Sequence, residues 1–98
     1  MQPTRYTIAN SQSLTDQFRS ILREAEIDGR REEVVTSMRR IFHQLSLVPL
    51  DVGEERETYE HLGLPMRITF HGPLIVRYGV HEESHTVFIE SVRYSPRR

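Results

Sequence analysis

The chain has 98 residues, with 13 basic and 14 acidic side chains, a formal net charge of −1 and no cysteine. This length makes a single domain over residues 1–98, large enough to bury a core without a metal or a disulfide. Disulfides, thiol nucleophiles and cysteine-based zinc sites are excluded, and the near-zero charge gives no global pull toward nucleic acid.

In chain order, "RYTIAN" at residues 5–10 reads as a short strand. "SQSLTD" reads as a helix start, with Ser13 placed to cap backbone N–H groups and Asp16 in the first turn, where negative charge is favoured. Leu14, Phe18, Ile21, Leu22 and Ala25 follow at helical spacing, and Asp28-Gly29 ends the run. A second helix spans roughly Arg31 to Leu45, with Val34, Val35, Met38, Ile41, Phe42 and Leu45 as its stripe and Pro49 closing it. The two form an antiparallel helical hairpin whose apolar stripes need a surface to cover. Residues 49–64, "PLDVGEERETYEHLGL", hold five acids and one Arg. This stretch, with Tyr59 and His61, reads as an irregular surface loop or as a surface for a protein partner, because its acids oppose RNA.

Three alternating strands complete the chain. In "MRITFH", Met66, Ile68 and Phe70 face one way and Arg67, Thr69 and His71 the other. Gly72-Pro73 makes a turn. Leu74, Val76, Tyr78 and Val80 then share one face, and Ile75, Arg77, Gly79 and His81 the opposite one. The last strand is "TVFIESVRY". The order β-α-α-β-β-β predicts an α+β fold with the helical hairpin on one face of an antiparallel sheet. The start "MQPTRYTIANS" lacks the layout of a secretory leader, and no apolar run reaches membrane-spanning length, so a cytoplasmic protein is expected.

The segments "MRRIFHQLSLVPLDVGEE", "LPMRITFHGPLIVRYGVHEE" and "HTVFIESVRY" resemble the RelE/ParE superfamily of toxins, the plasmid-stabilisation kind of type II toxin–antitoxin module. Val76, Tyr78 and Val80 fit the family's Arg-Val-x-Tyr-x-Val strand, Glu82-Glu83 its acidic turn, and Val87 to Val92 its last strand. The resemblance covers about residues 31–95. The family's strand Arg falls on Ile75 here, and Arg77 lies two residues later. The resemblance implies a toxin that acts as an endoribonuclease on mRNA, with an antitoxin protein as partner and the ribosome or mRNA as target. A non-catalytic reading of the same fold is a ParE-like topoisomerase binder or a non-toxic homologue. Neither reading calls for a cofactor or a metal.

For RNA cleavage a base must take the 2′-hydroxyl proton, cations must hold the phosphate, and an acid must protonate the leaving oxygen. The candidates are His71, Arg77 and Tyr94 for catalysis, with Arg67 and Arg93 holding phosphate. Strand alternation, with the helices covering Met66, Ile68 and Val76, predicts Arg67, His71, Arg77 and His81 together on the opposite, solvent-facing side. The plainer reading is a solvated sheet face, with Glu90 pairing Arg77 or Arg67. His81 and His85 bracket "HEESH", where a metal site would need helical spacing, so they read as turn residues. Every basic residue is Arg, a side chain whose fork suits phosphate and carboxylate.

Overall fold

The computed structural model describes residues 5–59 and 63–96. After a short strand β1 (Thr7–Ala9), helix α1 runs Gln12–Ile27. Its cap is Ser11, not Ser13: Ser11 is extended, and its Oγ accepts from the Leu14 N–H at 3.1 Å. The far end closes with paired bonds from Gly29 N–H to the Glu26 carbonyl and from Arg30 N–H to the Ala25 carbonyl. This pairing needs a left-handed residue, which Gly29 supplies at φ 71. Helix α2 (Arg31–Leu47) carries Glu32 and Glu33 in its first turn, at the positive end of its dipole. Pro49 does not simply end α2. It opens a one-turn helix α3 (Pro49–Val52), where its missing N–H costs nothing.

Four strands follow: β2 (Glu54–Tyr59), β3 (Leu64–His71), β4 (Leu74–His81) and β5 (Thr86–Tyr94). They form one five-stranded sheet in the order β1-β5-β4-β3-β2. The α+β layering follows from the periodicities, and two features go beyond it. The acidic stretch enters the sheet as β2, paired antiparallel to β3, rather than forming a loop. Three acids in six residues are tolerated because β2 is an edge strand. The sheet is also mixed, since β1 runs parallel to β5, with Ile8 opposite Val87. Of the sequence candidates in this stretch, His61 lies outside the described residues, and Tyr59 is placed by its backbone alone, at the end of β2.

One core joins the hairpin to the sheet. Leu14, Ile21 and Ala25 of α1 and Val34, Ile41 and Leu45 of α2 pack with Leu74, Val76, Tyr78, Val80, Val87 and Val92. β4 sits in the middle of the sheet and supplies the centre of that layer. Its inward residues are buried, and Tyr78 is the largest side chain closed off from solvent.

Candidate functional site

The register of β3 on β4 decides which candidate residues share a face. His71 stands opposite Leu74, Thr69 opposite Val76 and Arg67 opposite Tyr78. Residues directly opposite each other point to the same side of a sheet. Arg67, Thr69 and His71 therefore lie on the helix-covered side, with the core. Met66, Ile68 and Phe70 lie on the other side, opposite Gly79, Arg77 and Ile75. This corrects the expected arrangement: Arg67 and His71 do not share a face with Arg77 and His81. The cause is the two-residue Gly72-Pro73 turn, whose Gly72 takes φ 55. Pro73 cannot supply a second positive φ, so the hairpin uses a Gly-first turn that fixes His71 against Leu74.

Arg67 sits at the α3–β2 corner. Its Nη2 donates to the carbonyls of Leu50, at 2.6 Å, and Gly53, at 2.7 Å. The Tyr78 phenol donates to the Pro49 carbonyl at 2.7 Å. Burial raises the Tyr78 pKa, and the nearby Arg67 guanidinium partly opposes that shift. The guanidinium proposed to hold phosphate is thus engaged with main-chain carbonyls at the end of α3, a local structural task.

His71 and Tyr94 lie at the opposite end of the same side, in one row across β3, β4 and β5 through Leu74. Two strand spacings separate them, roughly 10 Å. His71 borders a cleft of about 370 Å³ between the β3–β4 turn and α2, lined by Glu32, Glu33, Thr36, Ser37 and Arg40. Its Nδ1 is buried and has no hydrogen-bond partner among the described residues. The Tyr94 phenol donates to Asp28 Oδ2 at 2.6 Å, and this bond is the largest cause of its raised pKa. Arg30 ties the corner together. It forks onto both Glu33 carboxylate oxygens at 2.8 Å and donates to the Pro96 carbonyl at 2.6 Å. That fork holds the Glu33 carboxyl below its ordinary range. Glu32, Glu33 and Asp28 stand around His71 and Tyr94 together with Arg30 and Arg40, so this end carries both signs of charge.

Arg77 and Arg93 occupy the face away from the helices. A bulge between Arg77 and Tyr78 in the β4–β5 pairing, where Arg77 meets Ser91 and Tyr78 meets Ile89, leaves Glu90 as the extra residue. Glu90 Oε2 comes within 3.6 Å of Arg77 Nε, so the Glu90–Arg77 pairing anticipated from the sequence forms. Arg93 stands opposite Ile75 and is exposed. Around these cations lie Ile68, Ile75, Phe88 and Phe70, the last 43% exposed. The five candidate residues thus fall into three places: Arg67 at one corner, His71 and Tyr94 at the opposite end, and Arg77 with Arg93 on the other face. The apolar character of that other face was missed because Arg77 and Arg93 dominated the sequence reading.

The "HEESH" segment is a turn. His81 Nδ1 lies 2.6 Å from Ser84 Oγ. His85 takes φ 50, with its ring 5.0 Å from that of Tyr6. No group of three or more metal-ligating side chains occurs among the described residues. No helix among them is long and apolar enough to cross a membrane. Compared with protein-family models, with curated proteins and with solved structures, the chain gives no match.

Proposed function

We propose that this chain is the toxin-like half of a toxin–antitoxin pair of the RelE/ParE kind, acting by gripping a protein rather than by cutting RNA. One observation carries the reading. The sheet face away from the helices presents Ile68, Phe70, Ile75 and Phe88 around Arg77 and Arg93, while His71 and Tyr94 lie at the helix-covered end. An apolar patch with an exposed aromatic and an Arg is the composition of a protein-binding hot spot. The occupant this face suits is an antitoxin segment with apolar side chains and a carboxylate for Arg93. Arg67 is occupied by the Leu50 and Gly53 carbonyls, and Arg77 and Arg93 lie on the other face of the sheet from His71 and Tyr94, which weakens the nuclease reading.

The test is induced expression of the chain alone in bacteria, following growth and mapping mRNA ends in the same culture. Growth arrest with intact mRNA supports the protein-binding toxin. New cleaved ends overturn it in favour of an endoribonuclease. Unaffected growth removes the toxin role. A small neighbouring reading frame whose product relieves the arrest identifies the antitoxin.

A further inference from the structure

The sheet face that carries Phe70 has no cover within the chain. We infer that in the free chain a second copy covers it, in a weak two-fold dimer where Arg93 of each copy meets Glu54 of the other.

The sheet edges do not serve a second copy. β2 is one edge, and pairing it with itself brings the exposed Glu54 and Glu55 against acids. At the other edge β1 covers Thr86, Val87 and Phe88 of β5, and Gln17 takes the Val92 N–H. The hairpin covers the inner face. The outer face is left. β3 and β4 have eight residues each. At about 3.3 Å per residue and 4.8 Å between strands, four such strands make a face of roughly 500 Å². Two of them bury roughly 1,000 Å², the low end for a specific interface and the size of a dimer that parts readily.

The charge pattern selects a second copy. In one row across the outer face, Glu54 stands opposite Ile68, Ile68 opposite Arg77, and Arg77 opposite Ser91. In the next row, Phe70 stands opposite Ile75 and Ile75 opposite Arg93. An acid thus flanks the apolar strip on the β2 side and a cation on the β5 side. Three strand spacings, roughly 14 Å, keep them from pairing within one copy. A two-fold axis in the interface, close to the strand direction and between β3 and β4, lays β5 of one copy over β2 of the other. Phe70 then lies over Ile75 of the second copy. Each Arg93 comes within one row of a Glu54, roughly 7 Å, a step that an arginine side chain spans. Symmetry makes the pair twice. Arg93 is exposed and has no ion pair among the described residues. A carboxylate accepts from several donors, so the interaction Glu54 already makes leaves room for it. Arg77, in the middle of the face, brings Glu90 with it and is not buried as a lone charge. Dimer and antitoxin then compete for one face, and self-association sets how much of it is open. That competition rests on the toxin reading; the dimer does not.

The experiment is sedimentation velocity of the purified full chain over a dilution series. The wild type passes from dimer to monomer with a dissociation constant on the order of 10–100 μM. Phe70→Glu stays monomeric. Arg93→Glu and Glu54→Arg each weaken the dimer by about tenfold or more, because like charges then meet. Arg93→Glu/Glu54→Arg restores it to within about threefold, which also shows that the swapped chain is folded. A wild type that is monomeric throughout the series overturns the inference, and so does a double variant no tighter than its singles. The growth assay reports separately. A dimer that leaves growth unaffected keeps this inference and removes the toxin reading, and a monomer that arrests growth with intact mRNA does the reverse.

Discussion

Gly53 and Tyr78 are built around each other. A Cβ on Gly53 would stand 2.7 Å from the Tyr78 phenol oxygen and 2.8 Å from the Ile68 carbonyl oxygen. Gly53 has φ −115, so the constraint is space and not backbone conformation. Gly53→Ala is expected to destabilise the fold by about 1–3 kcal/mol, the cost of overpacking a closed site. Urea unfolding measures it. Tyr78→Phe removes one of the two clashing atoms, so the double variant should lose less stability than the sum of the singles.

Tyr78 also sets an alkaline limit. Its folded pKa lies above the ordinary 10.0, chiefly through burial. A group shifted this way gives stability that is fully present below its unfolded value and is lost as pH rises through the folded one. Stability should therefore fall as pH climbs past 10, when the phenolate forms and the bond to the Pro49 carbonyl is lost. Tyr78→Phe costs about 1–2 kcal/mol at neutral pH through the unsatisfied carbonyl, and unfolding curves against pH should then show a shallower alkaline fall. Tyr94 acts in the same direction, because its bond to Asp28 raises its pKa as well.

Arg67 belongs to the same corner. Arg67→Met strips the donor from the Leu50 and Gly53 carbonyls and should cost about 2–3 kcal/mol, since bonds from a charged donor are the stronger kind. Chemical denaturation of the purified variant checks this. Any loss of biological effect in Arg67→Met should track lost folded protein, and Arg67→Lys should recover part of both.

How much of this was legible can be argued from β3. Its alternation is plain in the sequence, and so is the two-residue Gly72-Pro73 turn. Together they force His71 opposite Leu74, and hence Arg67 opposite Tyr78. Polarity pointed the other way, because Ile68 and Phe70 look like core and Arg67 and His71 look like surface. The register won: Arg67 is admitted to the inner side because the carbonyls of Leu50 and Gly53 satisfy it, and two segments 14 to 17 residues apart in sequence must meet for that to happen. The bulge at Glu90 was out of reach for a similar reason, since a one-residue slip in pairing leaves no local mark. β2 was hidden by its acids, which fit an edge strand as well as a loop. The helices were readable because spacing and caps are local signals, and even there the cap moved from Ser13 to Ser11.

β5 has an edge that β1 covers only at Thr86, Val87 and Phe88. Further along, the Val92 N–H is taken by Gln17 Oε1 of α1 at 2.9 Å. A side chain thus does there what a neighbouring strand would do. Gln17→Leu should cost about 1–2 kcal/mol by leaving that N–H unpaired. Hydrogen exchange should locate the loss, with the Val92 amide exchanging faster while amides in β4 keep their protection.

The sheet face and the end that holds His71 and Tyr94 make opposite demands on a growth assay. If the chain works by holding a protein against Ile68, Phe70 and Ile75, Phe70→Glu should abolish the effect of expression. The variant should still fold, because Phe70 is already 43% exposed. Tyr94→Phe removes only the hydroxyl bound to Asp28 and should leave the effect intact, and His71→Ala should do the same. Removing a general acid or base would instead lower a cleavage rate by about 100-fold or more. Loss of effect in Tyr94→Phe or His71→Ala, with Phe70→Glu still active and all three variants folded by circular dichroism, would move the working surface to the cleft beside α2.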